Sequence, residues 1–80
     1  MHITTFHLTK HGETRLQERD LLIEQVKATV NYPDRRKKQW RGVHGGFVYA
    51  FVKKIDGRFL EVVAEIKADE AWLVTEYWLE

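Results

Sequence analysis

His11, Arg15 and Arg19 lie four residues apart within TKHGETRLQERD, residues 9–20. Steps of four along a helix drift by only about 40°, so the three side chains project from one stripe. An imidazole titrates near neutrality, and an arginine fork stays charged and matches the oxygens of a phosphate. The combination suits phosphodiester chemistry, in which a base takes the proton of an RNA 2′-hydroxyl and cations hold the phosphate. An acid for the leaving oxygen is also needed, and Tyr77, Tyr49 and His44 are the candidates. The plainer reading is a corner histidine bonded to a carbonyl, with the arginines paired to Glu18 or Asp20.

A second group lies in DRRKKQWRG, residues 34–42, which packs Arg35, Arg36, Lys37, Lys38 and Arg41 around Trp40 with Asp34 as the lone acid. Cations interleaved with an aromatic ring suit single-stranded nucleic acid, where each stacked base adds about 1–3 kcal/mol. The same pattern suits an exposed edge strand guarded by charge, or a surface that meets an acidic partner. GVHGG, residues 42–46, reads as a flexible turn, with a phosphate cradle as the alternative. Lys10, Lys53 and Thr75 join Arg35, Arg36, Lys37, Trp40, Arg41, His44 and Tyr49 in the expected substrate-binding set. His2, His7, His11 and His44 raise a metal reading. His7 and His11 would share a site only on a common helix, and His7 is expected on a strand, so neither metal nor cofactor is expected.

The elements that must position these residues follow from hydrophobic period. HITTFHL, residues 2–8, reads as a short strand, and Thr9 as the N-cap of a first helix whose apolar side is Gly12, Leu16 and Leu21. A tight corner near Asp20 leads to a second helix over 21–31, with Val26 and Val30 inward, ended by Tyr32-Pro33-Asp34. From Arg35 the period becomes two. GFVYAFVKK and RFLEVVAEIK flank Asp56-Gly57, a hairpin signal, and AWLVTEYWL, residues 71–79, is a last strand reached through Ala68-Asp69-Glu70. Leu60, Val62, Ala64 and Ile66 form one apolar strand face. Tyr49 and Lys53, opposite in parity to Val48, Ala50 and Val52, are expected on the open face. Trp72 and Trp78 share one parity of the last strand, Thr75 and Tyr77 the other, and the two indoles are expected to pack. The result is an α+β fold: a short strand, two helices, then a three- to four-stranded antiparallel sheet with the helices on one face.

Residues 1–80 are long enough for a single small domain, and a core this size leaves any site on the surface or in a shallow cleft. The absence of cysteine excludes disulfides, thiol catalysis and thiolate metal sites. No signal-like start or long apolar run occurs, so a cytoplasmic protein without a membrane span is expected. Net charge is +1, yet the first forty residues carry eight Lys/Arg against five acids and the rest five against seven.

Thr9, His11, Arg15, Arg19, Leu21, Val26, Pro33, Asp34 and Val74-Thr75-Glu76-Tyr77 resemble the pattern of a widespread bacterial family of unknown function. That family opens on T-x-H-x3-R-x3-R and is similar to the RelE and BrnT toxins, small metal-independent ribonucleases of toxin–antitoxin pairs. The resemblance implies a RelE-like helix-then-sheet layout and RNA cleavage with His11 as base, Arg15 and Arg19 on phosphate, and Tyr77 as a further catalytic residue. It implies RNA, free or ribosome-bound, and an antitoxin protein as partners. The chain departs at Leu22, where the pattern has a capping Ser, Thr or Asp, and in net charge, since many ribosome-dependent relatives are far more basic. The alternatives are a non-catalytic module that binds nucleic acid or protein through residues 35–41, and a homodimer formed through the sheet edge.

Overall fold

A computed structural model describes residues 2–79. Strand β1 (Thr5–His7) leads into helix α1 (Lys10–Glu18) and helix α2 (Ile23–Asn31). Four strands follow: β2 (Arg35–Arg41), β3 (Phe47–Ile55), β4 (Arg58–Lys67) and β5 (Glu70–Leu79). Thr9 caps α1 as its position suggests, its hydroxyl accepting from the Gly12 N–H at 3.0 Å. The helix ends with Asp20 in the left-handed region (φ 54°) and a Leu21 N–H to Leu16 C=O bond of 2.8 Å, the wrap that helix C-termini use to satisfy their last carbonyls. Leu22 offers α2 no capping side chain, so Gln25 compensates: its Oε1 accepts from the Leu22 N–H at 2.9 Å. Asp56 and Gly57 both have positive φ (50° and 82°), the geometry of the tight hairpin that an Asp-Gly pair signals.

The sheet has five strands in the order β1-β5-β4-β3-β2 and is mixed, since β1 runs parallel to β5 while the other pairs are antiparallel. The expected antiparallel set is present as the four strands β2–β5, and the correction is that β1 joins them as a fifth, parallel strand. The opening strand swings back to pair with the last one, pinned where the Asp69 carbonyl accepts from Thr4 N–H at 2.9 Å and Asn31 Oδ1 accepts from Ile3 N–H at 2.6 Å.

Both helices cover one sheet face. Val26 and Val30 of α2, with Leu16 and Leu21, bury Phe51, Leu60, Val62 and Ala64. This places Tyr49 and Lys53 differently from the sequence reading. They share the parity of Phe51, which is fully buried beneath the helices, so Tyr49 packs against the core and Lys53 Nζ reaches back to the Tyr32 carbonyl at 2.8 Å. The open face instead carries Val48, Ala50 and Val52, paired across to Glu65, Val63 and Glu61. A second correction falls on β5. The register shifts by one residue opposite Val63/Ala64, so Trp72 pairs with Glu65 on the open face and Trp78 with Leu60 on the helix face. A bulge, invisible in a period-two reading, separates the two indoles.

Candidate functional site

The stripe on α1 does form, but its arginines have work within the fold. Because β1 is three residues long, it pairs only with Glu70–Trp72 and leaves the rest of the β5 edge without a strand partner. Arg15 Nη2 donates to the Val74 carbonyl at 3.0 Å, and Arg19 Nη1 donates to the Glu76 carbonyl and, at 3.3 Å, to Thr75 Oγ1. Two guanidiniums one helical turn apart thus serve carbonyls two residues apart on the bare edge. Beneath them the Glu76 side chain is 1 % exposed, with one carboxylate oxygen unpartnered. Burial raises its pKa, and the nearby charges of Arg15 and Arg19 only partly oppose this. His11 and Lys10 are exposed at the start of α1. Tyr77 pairs with Glu61 on the open face, while Glu76, one residue earlier, points under α1. The sheet therefore separates the Tyr77 hydroxyl from the His11 stripe. Its hydroxyl instead donates a hydrogen bond to Glu61 Oε2, and that bond, with burial and the Glu61 charge, raises the phenol pKa.

A different set of titratable groups meets on the open face. His7, Trp72 and His44 stack in line, with ring centroids 4.8 and 4.4 Å apart and planes within 12° and 9° of parallel. The spacing follows the distance between strands, because His7 and Trp72 are paired across β1 and β5 and His44 lies over β4. Each imidazole meets a carboxylate: His7 Nε2 with Glu70 at 2.8 Å and His44 Nδ1 with Glu65 at 3.0 Å. Glu65 is 2 % exposed and also accepts from the backbone N–H groups of His44 and Gly46, each at 2.8 Å. Burial pushes its pKa up, but the Gly46 N–H and the two His44 bonds more than offset this, and the net shift is downward. The GVHGG loop does cradle an anion, then, and the anion is the chain's own Glu65. A Cβ on Gly42 would fall 2.0 Å from the Glu65 carboxyl carbon, so the wrap requires glycine there.

At the other side of this face, β2 is the free edge, and all seven of its residues are exposed. Its register puts Arg35, Lys37 and Trp40 on the open face and Arg36, Lys38 and Arg41 on the other, where they lie over the Tyr49 and Phe47 rings. An open cleft of about 640 Å³ runs along it, lined by Arg35, Arg36, Lys37, Gln39, Ala50, Val52 and Glu61. Among the described residues the ion-pair contacts are the two His–Glu pairs, so no cation of β2 is in ion-pair contact with an acid, although Glu61 lines the same cleft. Trp40 is 54 % exposed. Thus the structure brings Arg35, Lys37, Trp40, His44, Thr75 and Tyr77 to one face, leaves Lys10, His11, Arg15, Arg36, Arg41, Tyr49 and Lys53 off it, and has Arg19 reach round the β5 edge to the Thr75 hydroxyl. Sequence reasoning gives no role to Glu65 or Glu70, weighs His7 only as a metal ligand and meets Glu76 only within the Val74–Tyr77 motif. The signal for Glu65 was a glutamate opposite a glycine-rich turn that holds a histidine.

Among the described residues there is no group of His, Asp or Glu that could hold a metal ion, and no helix is long and apolar enough to cross a membrane. The architecture defines an α+β protein with one sheet face under two helices and the other open. The chain belongs to the family described as a domain of unknown function (DUF4258), whose model matches residues 8–78. No curated protein and no solved structure matches it.

Proposed function

We propose that the protein binds single-stranded RNA along β2 and the adjoining open face. The observation that carries the reading is the β2 edge itself: five cations and a half-exposed indole on seven exposed residues, with no acid paired to them. Such an edge attracts a polyanion by neutralising its phosphates, and Trp40 supplies a ring on which a base can stack. Ala50 and Val52 give the cleft beside it an apolar floor. A ribonuclease centred on His11 would need Arg15 and Arg19 to hold phosphate, whereas their donors go to β5 carbonyls, so the geometry favours the binding reading over that one.

The test is fluorescence anisotropy of a labelled single-stranded RNA of about 12 nucleotides, within the range of site sizes such surfaces take, over a series of salt concentrations. Binding should weaken linearly on log–log axes as salt rises. Neutralising Arg35, Arg36, Lys37 and Lys38 together should flatten that slope by about 0.7 for each phosphate that the protein no longer neutralises. An unchanged slope would move the site away from β2.

A further inference from the structure

We propose that His44, oriented by Glu65, is a general base that cleaves the bound RNA strand at a ribose 2′-hydroxyl. The inference rests on the RNA-binding reading and adds a reaction to it.

The geometry is that of a carboxylate-oriented imidazole. Glu65 is held ionised by three donors, so it can only accept, and the proton of a neutral His44 ring must sit on Nδ1. The lone pair then lies on Nε2. The His44 side chain is 43 % exposed, and Nε2 has no protein partner among the described residues. Ring rotation is restricted by the stack on Trp72, which His7 backs from the other side. A loop clamp alone does not explain this choice of residues. The backbone N–H groups of His44 and Gly46 would be satisfied by a neutral Gln at position 65, which avoids the cost of burying a charge. A buried carboxylate against an imidazole orients the ring and fixes which nitrogen carries its proton.

The surroundings suit a phosphodiester. Trp72, Glu65, Val48 and Trp40 are successive partners across β5, β4, β3 and β2, so the base stands at the same end of the open face as Trp40. Lys67, on the same face, holds its ammonium beside the loop: a Cβ on Gly45 would meet Lys67 Nζ at 3.4 Å. In the proposed step Nε2 takes the 2′-hydroxyl proton, the 2′-oxygen bonds to phosphorus, and the bond from phosphorus to the 5′-oxygen breaks. Lys67 gives a proton to the departing 5′-oxygen and regains one from the His44 imidazolium through solvent. The products are a 2′,3′-cyclic phosphate and a 5′-hydroxyl, with no net change in protons or electrons.

The experiment incubates the purified protein, with a chelator present, with the labelled RNA and with the same strand lacking 2′-hydroxyls. Anisotropy reads binding and a gel reads cleavage in the same samples. The expected result is that both strands bind and only the RNA is cut, leaving a cyclic phosphate end. His44→Gln should cut at least about 100-fold more slowly, the usual loss for a general base, at RNA concentrations that saturate the variant as judged by anisotropy. Added imidazole should restore part of the rate to His44→Gly, which a purely structural histidine would not show. Glu65→Gln, as a positioning change, should alter the pH–rate profile of cleavage. RNA that binds wild type but stays intact, or is cut equally fast by His44→Gln, overturns the proposal and leaves the binding reading standing. Failure of the RNA to bind overturns both.

Discussion

The two edges of the sheet carry the same residue types to opposite ends. At β5, Arg15 and Arg19 arrive from α1 and close an edge that the short β1 leaves open. At β2 the cations belong to the edge strand itself and form no ion pair. An arginine is therefore a stabilising donor where the fold supplies unpaired carbonyls, and is free to meet a phosphate where it supplies none. Motif spacing alone does not distinguish the two. The number of residues in β1 does.

The largest expected effect comes from removing the β5 closure. Arg15→Ala and Arg19→Ala should each lower unfolding free energy by about 2 kcal/mol, because an edge carbonyl is deprived of a charged donor and Glu76 of a compensating cation. Urea denaturation of both variants checks this. RNA affinity should be unchanged in each at temperatures where they stay folded, and an affinity loss without a stability loss would break the contrast between the edges. Next in size, neutralising the four consecutive cations of β2 should reduce RNA affinity at about 0.1 M salt by at least tenfold. The thermal midpoint should fall only slightly, since those side chains form no ion pair in the fold and only Arg36 and Lys38 lose ring contacts, with Tyr49 and Phe47.

Two buried glutamates sharpen the comparison through pH. Glu65, whose pKa is lowered, contributes stability that is present above the ordinary value of 4.5 and lost as pH falls through its folded value. Glu76, whose pKa is raised, does the reverse: its contribution is present below 4.5 and lost as pH rises through its folded value. Glu65→Gln should therefore remove part of the acid destabilisation, while Glu76→Gln should deepen it, as read from thermal midpoints between pH 3 and 7 (on the order of the carboxylate range). The smallest effect is at the β4–β5 turn, where Ala68 sits at φ 54°. Ala68→Gly relieves the left-handed strain and should stabilise by about 0.5–1 kcal/mol in the same denaturation assay.

Local chemistry made much of this fold legible. The Thr9 cap, the stop at Tyr32-Pro33-Asp34 and the Asp56-Gly57 hairpin each depend on a few adjacent residues. The parallel pairing of β1 with β5 joins residues some sixty-five apart, as in Thr5 with Glu70, and no local pattern encodes it. The faces of β3 are ambiguous in the sequence because both parities are apolar: Val48 and Val52 compete with Tyr49 and Phe51, and only the helices decide between them. At the candidate site the cations of β2 stood out, while Glu65 looked like one more polar residue on a wet face until the loop at residues 42–46 folded over it.

The central claim is that β2, and not α1, meets the polyanion. The most direct measurement is the salt dependence of RNA binding for three proteins: wild type, the β2 neutralisation variant, and Arg15→Ala/Arg19→Ala held below its melting temperature. The account predicts a flattened slope for the β2 variant and a wild-type slope for the α1 variant. A flattened slope for the α1 variant with an unchanged one for β2 would contradict it and assign phosphate binding to the opening motif instead.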